Sequence, residues 1–194
     1  MKTLKITKAD LDARGYYAAS ESLDFDGSIE IDSNLGWVRF RGSLRATLSI
    51  VASAGSGIEA GWGIKAGWGI KAGWGIEAGS GIEAGSGIKA GWGIEAGSGI
   101  EAGSGIKAGS GIKAGWGIEA GEGIEAGEGI KAGEGIEAGL QISAKKTITA
   151  KLRIFAGICI WRIPAPADQT ITAQAVEGQV CFGTVKPLGG ESQQ

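Results

Sequence analysis

Five tryptophans, Trp62, Trp68, Trp74, Trp92 and Trp116, each stand between two glycines. Indole is costly to leave in water and enriched at binding hot spots, so rings held in such positions suit docking or stacking rather than bond-making. The plainer alternative is that each ring folds over the glycine backbone of a neighbouring repeat. A second set, Trp37, Arg39, Arg41 and Arg45, with Lys145, Lys146, Lys151 and Arg153 further along, supplies cations for a phosphate or an acidic protein surface. Clustered charge of this kind ordinarily just solvates an edge.

Covalent and metal chemistry find little support. The chain has no His, which removes Ser-His-Asp and Cys-His catalysis and His-based metal sites. Cys159 and Cys181 have no metal-ligand spacing and read as buried free thiols. Asp24-Phe25-Asp26-Gly27 resembles the middle of a calcium loop, but Ser22 and Ser33 would occupy the first and twelfth ligand positions. Gly61-Trp62-Gly63-Ile64-Lys65-Ala66-Gly67 has the wrong spacing for a dinucleotide fingerprint, and no Gly-Lys-Ser/Thr occurs. No cofactor, no metal and no enzymatic activity are expected.

The tryptophans belong to a repeat. From Ile58 to Ile136 an isoleucine recurs every six residues, and the phase continues at Ile142, Ile148, Ile154 and Ile160. Each unit reads Gly-Ile-Lys/Glu-Ala-Gly-X. In an extended strand, side chains two residues apart share a face, so Ile and Ala point inward and the intervening Lys or Glu points out. Glycine weakens strands and adopts positive φ readily, so Gly-X-Gly reads as a corner with X at its tip. The fold class is an all-β, parallel β-solenoid of hexapeptide repeats.

Two coil lengths suit six-residue units: two units in a flattened 12-residue coil, or three in a triangular 18-residue coil. Residues one coil apart stack about 4.8 Å from each other, where opposite charges attract. Among the outward positions from Glu59 to Glu137, ten of twelve pairs are opposite in sign at a spacing of 12, against three of eleven at 18. The charges therefore favour the two-unit coil. On that reading Ser56, Trp68, Ser80, Trp92, Ser104 and Trp116 run down one edge, with Trp in alternate coils roughly 9.6 Å apart, close to a disaccharide repeat. The triangular left-handed helix, whose usual signature is a hexapeptide with an inward aliphatic residue, remains the alternative.

Solenoids need capped ends. Residues 1–27 read as an N-terminal cap with a strand from Lys2 to Ile6 and a helix opened by a capping box at Thr7 to Asp10, running to about Ser20. Residues 28–54 read as irregular opening coils, 55–160 as the regular solenoid, and 161–194 as a C-terminal cap of two strands, Thr170 to Val176 and Gln179 to Val185, with a loose tail from Gly189.

Nineteen Lys and Arg against 21 Asp and Glu give a net charge of −2, which removes the whole-chain argument for nucleic acid or an acidic membrane. No apolar run of membrane-spanning length and no signal-peptide pattern appears, so a cytoplasmic location is expected.

The opening Lys2-Thr3-Leu4-Lys5-Ile6-Thr7-Lys8-Ala9-Asp10-Leu11 looks like the start of many small phage and prophage proteins, and the Gly-Ile-Lys/Glu-Ala-Gly array resembles repeats in some of them. The resemblance implies a phage-encoded accessory protein, a group that includes inhibitors of host defence such as anti-CRISPR proteins, acting in the host cytoplasm. The expected role is a non-catalytic rod presenting its surface to a protein partner, with self-association as a further expectation. The alternative is a carbohydrate-binding or structural module that uses the tryptophan tips on a polysaccharide.

Overall fold

The computed structural model describes residues 1–189. Its strands are short, mostly the three residues Ile-Lys/Glu-Ala, and within the regular repeat each pairs in parallel with the strand 18 residues away. Ile58, Ile76 and Ile94 are register partners in turn, as are Ile64, Ile82 and Ile100, and Ile70, Ile88 and Ile106. Three units therefore complete one coil, and the rod has three faces. This corrects the two-unit expectation.

The three faces differ in their outward residues. The lysine face is a ten-stranded ladder that includes Ile70–Ala72, Ile88–Ala90 and Ile106–Ala108, with Lys71, Lys89 and Lys107 outward. The glutamate face includes Ile82–Ala84, Ile100–Ala102, Ile118–Ala120 and Ile136–Ala138, with Glu83, Glu101, Glu119 and Glu137 outward. The mixed face stacks Glu59, Glu77 and Glu95 and then Lys113 and Lys131. Its last strand, Thr147–Ala156, continues round a corner into the glutamate face, pairing through Ile148 on one and Ile154 on the other.

The turn explains why charge gave the wrong coil. A flattened coil must reverse the chain within Gly-X-Gly, whereas a triangular coil bends less at each corner. No glycine from Gly57 to Gly139 has a positive φ, so the corners turn in ordinary backbone conformations. Against this, stacked like charges at a wet surface cost only tenths to about 1 kcal/mol each. All three opposite-sign pairs at the 18-residue spacing form ion pairs: Lys65–Glu83 at 2.6 Å, Lys107–Glu125 at 2.8 Å and Lys113–Glu95 at 2.5 Å.

Close stacking, rather than positive φ, makes glycine necessary at these corners. A Cβ added to Gly97 would lie 2.1 Å from the carbonyl oxygen of Gly79 one coil earlier, far inside contact distance. The glycine on the other side of the tip is freer, since a Cβ on Gly99 would lie 3.4 Å from Gly117 O. Inside, the repeat isoleucines from Ile58 to Ile154 are buried to 1% exposure or less and form one continuous core with the alanines. Each buried isoleucine contributes on the order of 1.5–3 kcal/mol before chain entropy.

The N-terminal cap differs from expectation. Thr7 and Asp10 do form a capping box, with Thr7 N donating to the Asp10 carboxylate at 2.8 Å, but it opens only the 3-10 turn Lys8–Asp10. Gly15 adopts φ +82, and the chain doubles back so that Leu11 bridges Tyr17 and Tyr16 bridges Arg39. Tyr17 packs on Phe40 with ring centroids 5.6 Å apart. Packing against the first coils outweighs local helix propensity here. Residues 28–54 already lie in the three faces, with Leu44 beside Ile64 and Ile50 beside Ile70.

Ser56 is not a solvent tip. It is fully buried, its hydroxyl donating to Asp32 O at 2.6 Å and accepting from Leu35 N at 3.0 Å.

At the C-terminal end the six-residue phase breaks after Ile154. The place that Ile160 would take beside Ile142 belongs to Ile171. Ile160 itself is 99% exposed, which overturns its reading as core. Residues 157–169 form an insertion at the corner between the glutamate and lysine faces, and Pro164 and Pro166 follow the displaced isoleucine. Three strands then close the described chain: Thr170–Ala173, Ala175–Phe182 and Thr184–Pro187. Of the expected loose tail, residues 190–194 lie outside the described residues, and Gly189 closes a turn.

Candidate partner-binding surface

With three faces the tips fall on three corners, held coil to coil by backbone hydrogen bonds. On the corner from the mixed to the glutamate face, Ser80 N donates to Trp62 O, Ser98 N to Ser80 O and Trp116 N to Ser98 O, at 3.0–3.1 Å. Trp68 stands on the corner from the glutamate to the lysine face, where Ser86 N donates to its carbonyl. Trp74 and Trp92 share the third corner. Trp68, Trp92 and Trp116 therefore do not share an edge, which corrects the alternate-coil spacing of about 9.6 Å inferred from a 12-residue coil.

The rings divide between packing and exposure. Trp37 lies across the glycine column of the mixed face, where a Cβ on Gly57 or Gly75 would meet its ring at 2.8–2.9 Å. Trp74 stacks on Trp92 with centroids 4.8 Å apart and an interplanar angle of 6°, and is half-buried. Trp62 is 69% exposed and Trp116 62%, while Trp68 and Trp92 are each about half-exposed. Trp62 and Trp116 stand three coils apart, roughly 14 Å, on one corner.

The arginine cluster is largely spent inside the chain. Arg39 bonds Glu59 at 2.7 Å and the carbonyl of Arg14 at 2.9 Å. Arg41 reaches Asp12 at 3.3 Å and lies over the Tyr16 ring. These two residues tie the N-terminal cap to the first coils, so they and Arg45, outward on the glutamate face beside Lys65, do not converge on one open basic site. At the other end Lys146 pairs with Glu128, and Lys145, Lys151 and Arg153 point outward around the last coils. Cys159 is half-buried and Cys181 exposed, so the latter is not the buried thiol expected.

The charge columns are the least expected feature of the surface. Lys71, Lys89 and Lys107 are register partners on consecutive strands, as are Glu83, Glu101, Glu119 and Glu137. Glu77, between Glu59 and Glu95, has its carboxyl pushed above the usual glutamate range by partial burial and by those two neighbours.

Sequence reasoning missed the inserted corner loop. Ile160 and Ile163 are more than nine-tenths exposed and Trp161 is well exposed. The loop is nonetheless held in place. Arg162 pairs with Asp168 at 2.8 Å, Ala165 N donates to the same carboxylate at 2.8 Å, and the Thr170 hydroxyl donates to Ala167 O at 2.9 Å. The Arg162 hydrogen bond, helped by that of Ala165, keeps the Asp168 carboxyl below the usual aspartate range. The signal available in the sequence was Pro164 and Pro166 after an apolar run, which marked a break without showing that Ile160 leaves the core.

Among the described residues no cluster of three His, Cys, Asp or Glu is placed to hold a metal ion, and no helix is long and apolar enough to cross a membrane. No family model, no curated protein and no solved structure matches the chain.

Proposed function

We propose that the chain is a non-catalytic β-solenoid that presents a rigid repeating surface to a protein partner. The observation that carries this reading is the exposure of Trp62, Trp68, Trp92 and Trp116 at corner tips whose backbone is locked into the coil ladder. An indole on a fixed backbone loses little conformational entropy on docking and buries a large area, which is the physical profile of a hot-spot residue. Trp116 also edges a shallow groove along the glutamate face, together with Glu83, Glu101, Glu119 and Glu137.

The finer reading is a phage-encoded inhibitor of a host defence system, of the anti-CRISPR kind, acting in the host cytoplasm. Its support is the resemblance of Lys2 to Leu11 and of the array to phage and prophage proteins. Occupying a partner's surface needs no catalytic group, which suits a chain without histidine. A carbohydrate-binding role is the weaker reading, because tryptophans on three corners do not form a line of regularly spaced platforms.

The test is the double change Trp62→Ser and Trp116→Ser. Serine already occupies the same corner at Ser80 and Ser98, so the fold is expected to survive with unchanged circular dichroism. Affinity for a stoichiometric partner captured from host lysate should fall by roughly 30-fold or more, as for loss of a hot-spot aromatic. Unchanged affinity would sink the tryptophan-corner reading, and binding to a glycan array that vanishes with the same changes would transfer it to carbohydrate.

A further inference from the structure

Two of the three faces carry columns of opposite sign with the same pitch. On each, one charge stands per coil, so both columns repeat at the strand spacing of roughly 4.8 Å. Among the described residues these two columns form ion pairs only at their ends: Lys65 pairs with Glu83 at one end of the glutamate column, and Glu125 with Lys107 at one end of the lysine column. Lys71 and Lys89 are left without a salt-bridge partner among the described residues, as are Glu101, Glu119 and Glu137, and all five are exposed. Away from those ends each column repels itself, and among the described residues nothing neutralises Lys71, Lys89, Glu101, Glu119 or Glu137.

The surfaces between the columns suit close approach. Beside the lysines a shallow groove of about 530 Å³ runs along the lysine face, lined by Val51 and by the glycine column Gly69, Gly87 and Gly105. At the corner where the glutamate and lysine faces meet, the inserted loop leaves the coil with Cys159 N bonded to Gly139 O at 3.0 Å, and carries Ile160, Trp161 and Ile163 into solvent. An ordered loop with nearly bare isoleucines is a contact element lacking its contact.

We infer that the occupant of these surfaces is a second copy of this chain: the lysine face of one molecule lies against the glutamate face of another, with Ile160, Trp161 and Ile163 seated at the edge of the contact. The shared pitch makes the match self-registering, since aligning one Lys–Glu pair aligns the rest. It also makes the contact heterologous. Each dimer so formed keeps one free glutamate face, on the first molecule, and one free lysine face, on the second, so assembly proceeds past a dimer into a ring or an open array. This inference goes beyond the partner reading: it rests on the two charge columns and the inserted loop, and Trp116 only borders the glutamate-face groove it covers.

Sedimentation velocity on the full chain across protein concentration tests it. At low ionic strength, species larger than a dimer are expected, and they should dissociate in high salt as the columns are screened. Reversing the lysine column with Lys71→Glu, Lys89→Glu and Lys107→Glu, or the glutamate column with Glu101→Lys, Glu119→Lys and Glu137→Lys, should leave each variant monomeric. Mixing the two variants should restore assembly. Ile160→Ser with Ile163→Ser should weaken association by roughly tenfold or more while leaving the charges intact. Thermal melts confirm that each variant folds, and where a triple variant does not, Lys89→Glu and Glu119→Lys serve in its place. A wild-type chain that stays monomeric at low salt, or reversed variants that assemble alone as wild type does, would overturn the inference. Failure of the mixture to assemble would do the same.

Discussion

Glu77 and Glu95 are register partners in adjacent strands of the mixed face, with Glu59 the partner of Glu77 on its other side, so three carboxylates stand in one column. The central one has its pKa raised by partial burial, Glu59 and Glu95, in that order. A glutamate whose folded pKa lies above its unfolded value destabilises the fold where it is ionised in both states. The penalty is full above the raised pKa and disappears as pH falls below the ordinary value of 4.5. Glu77→Gln is therefore expected to stabilise at pH 7 by a few tenths of a kcal/mol up to about 1, discounted for solvent exposure. Its advantage over wild type should vanish by about pH 4, read from urea midpoints across pH.

Two glycines flanking one tip should respond very differently to alanine. Gly97→Ala places a methyl 2.1 Å from Gly79 O, where only backbone movement can relieve it, and is expected to cost more than about 2 kcal/mol. Gly99→Ala meets Gly117 O at 3.4 Å and should cost less than about 1 kcal/mol, or stabilise by restricting the unfolded chain. Denaturant melts of the two variants decide it. Equal costs would show that the corners do not stack as closely as described.

Core and surface contributions separate in another pair. Ile100 is 1% exposed between Ile82 and Ile118, and Ile100→Ala is expected to cost about 2–5 kcal/mol. Lys65→Ala, which removes the ion pair to Glu83, should cost less than about 1 kcal/mol and lose its effect in high salt. Thermal unfolding at two ionic strengths measures both. A larger loss from Lys65 than from Ile100 would contradict a core-driven fold.

The sequence by itself determined the local unit. Alternation put Ile64 and Ala66 inside and Lys65 outside, glycine marked the corners, and Trp62 or Ser80 had to be a tip, because each assignment depends only on contacts within one extended unit. The capping box at Thr7 and Asp10 was equally local and equally legible. Which units stack on which was decided only by the tertiary structure. Coil length depends on how sharply Gly-X-Gly bends and how closely Gly97 approaches Gly79, and the column charges contribute too little energy to overrule that geometry. The same decision set Lys71 over Lys89 and Glu101 over Glu119 and moved Trp68, Trp92 and Trp116 to different corners, while the turn at Asp32 and Leu35 took up the hydroxyl of Ser56. Ile160 is the sharpest case: its spacing from Ile154 is that of a core residue, but register with Ile142 is a long-range choice, and Ile171 takes that position.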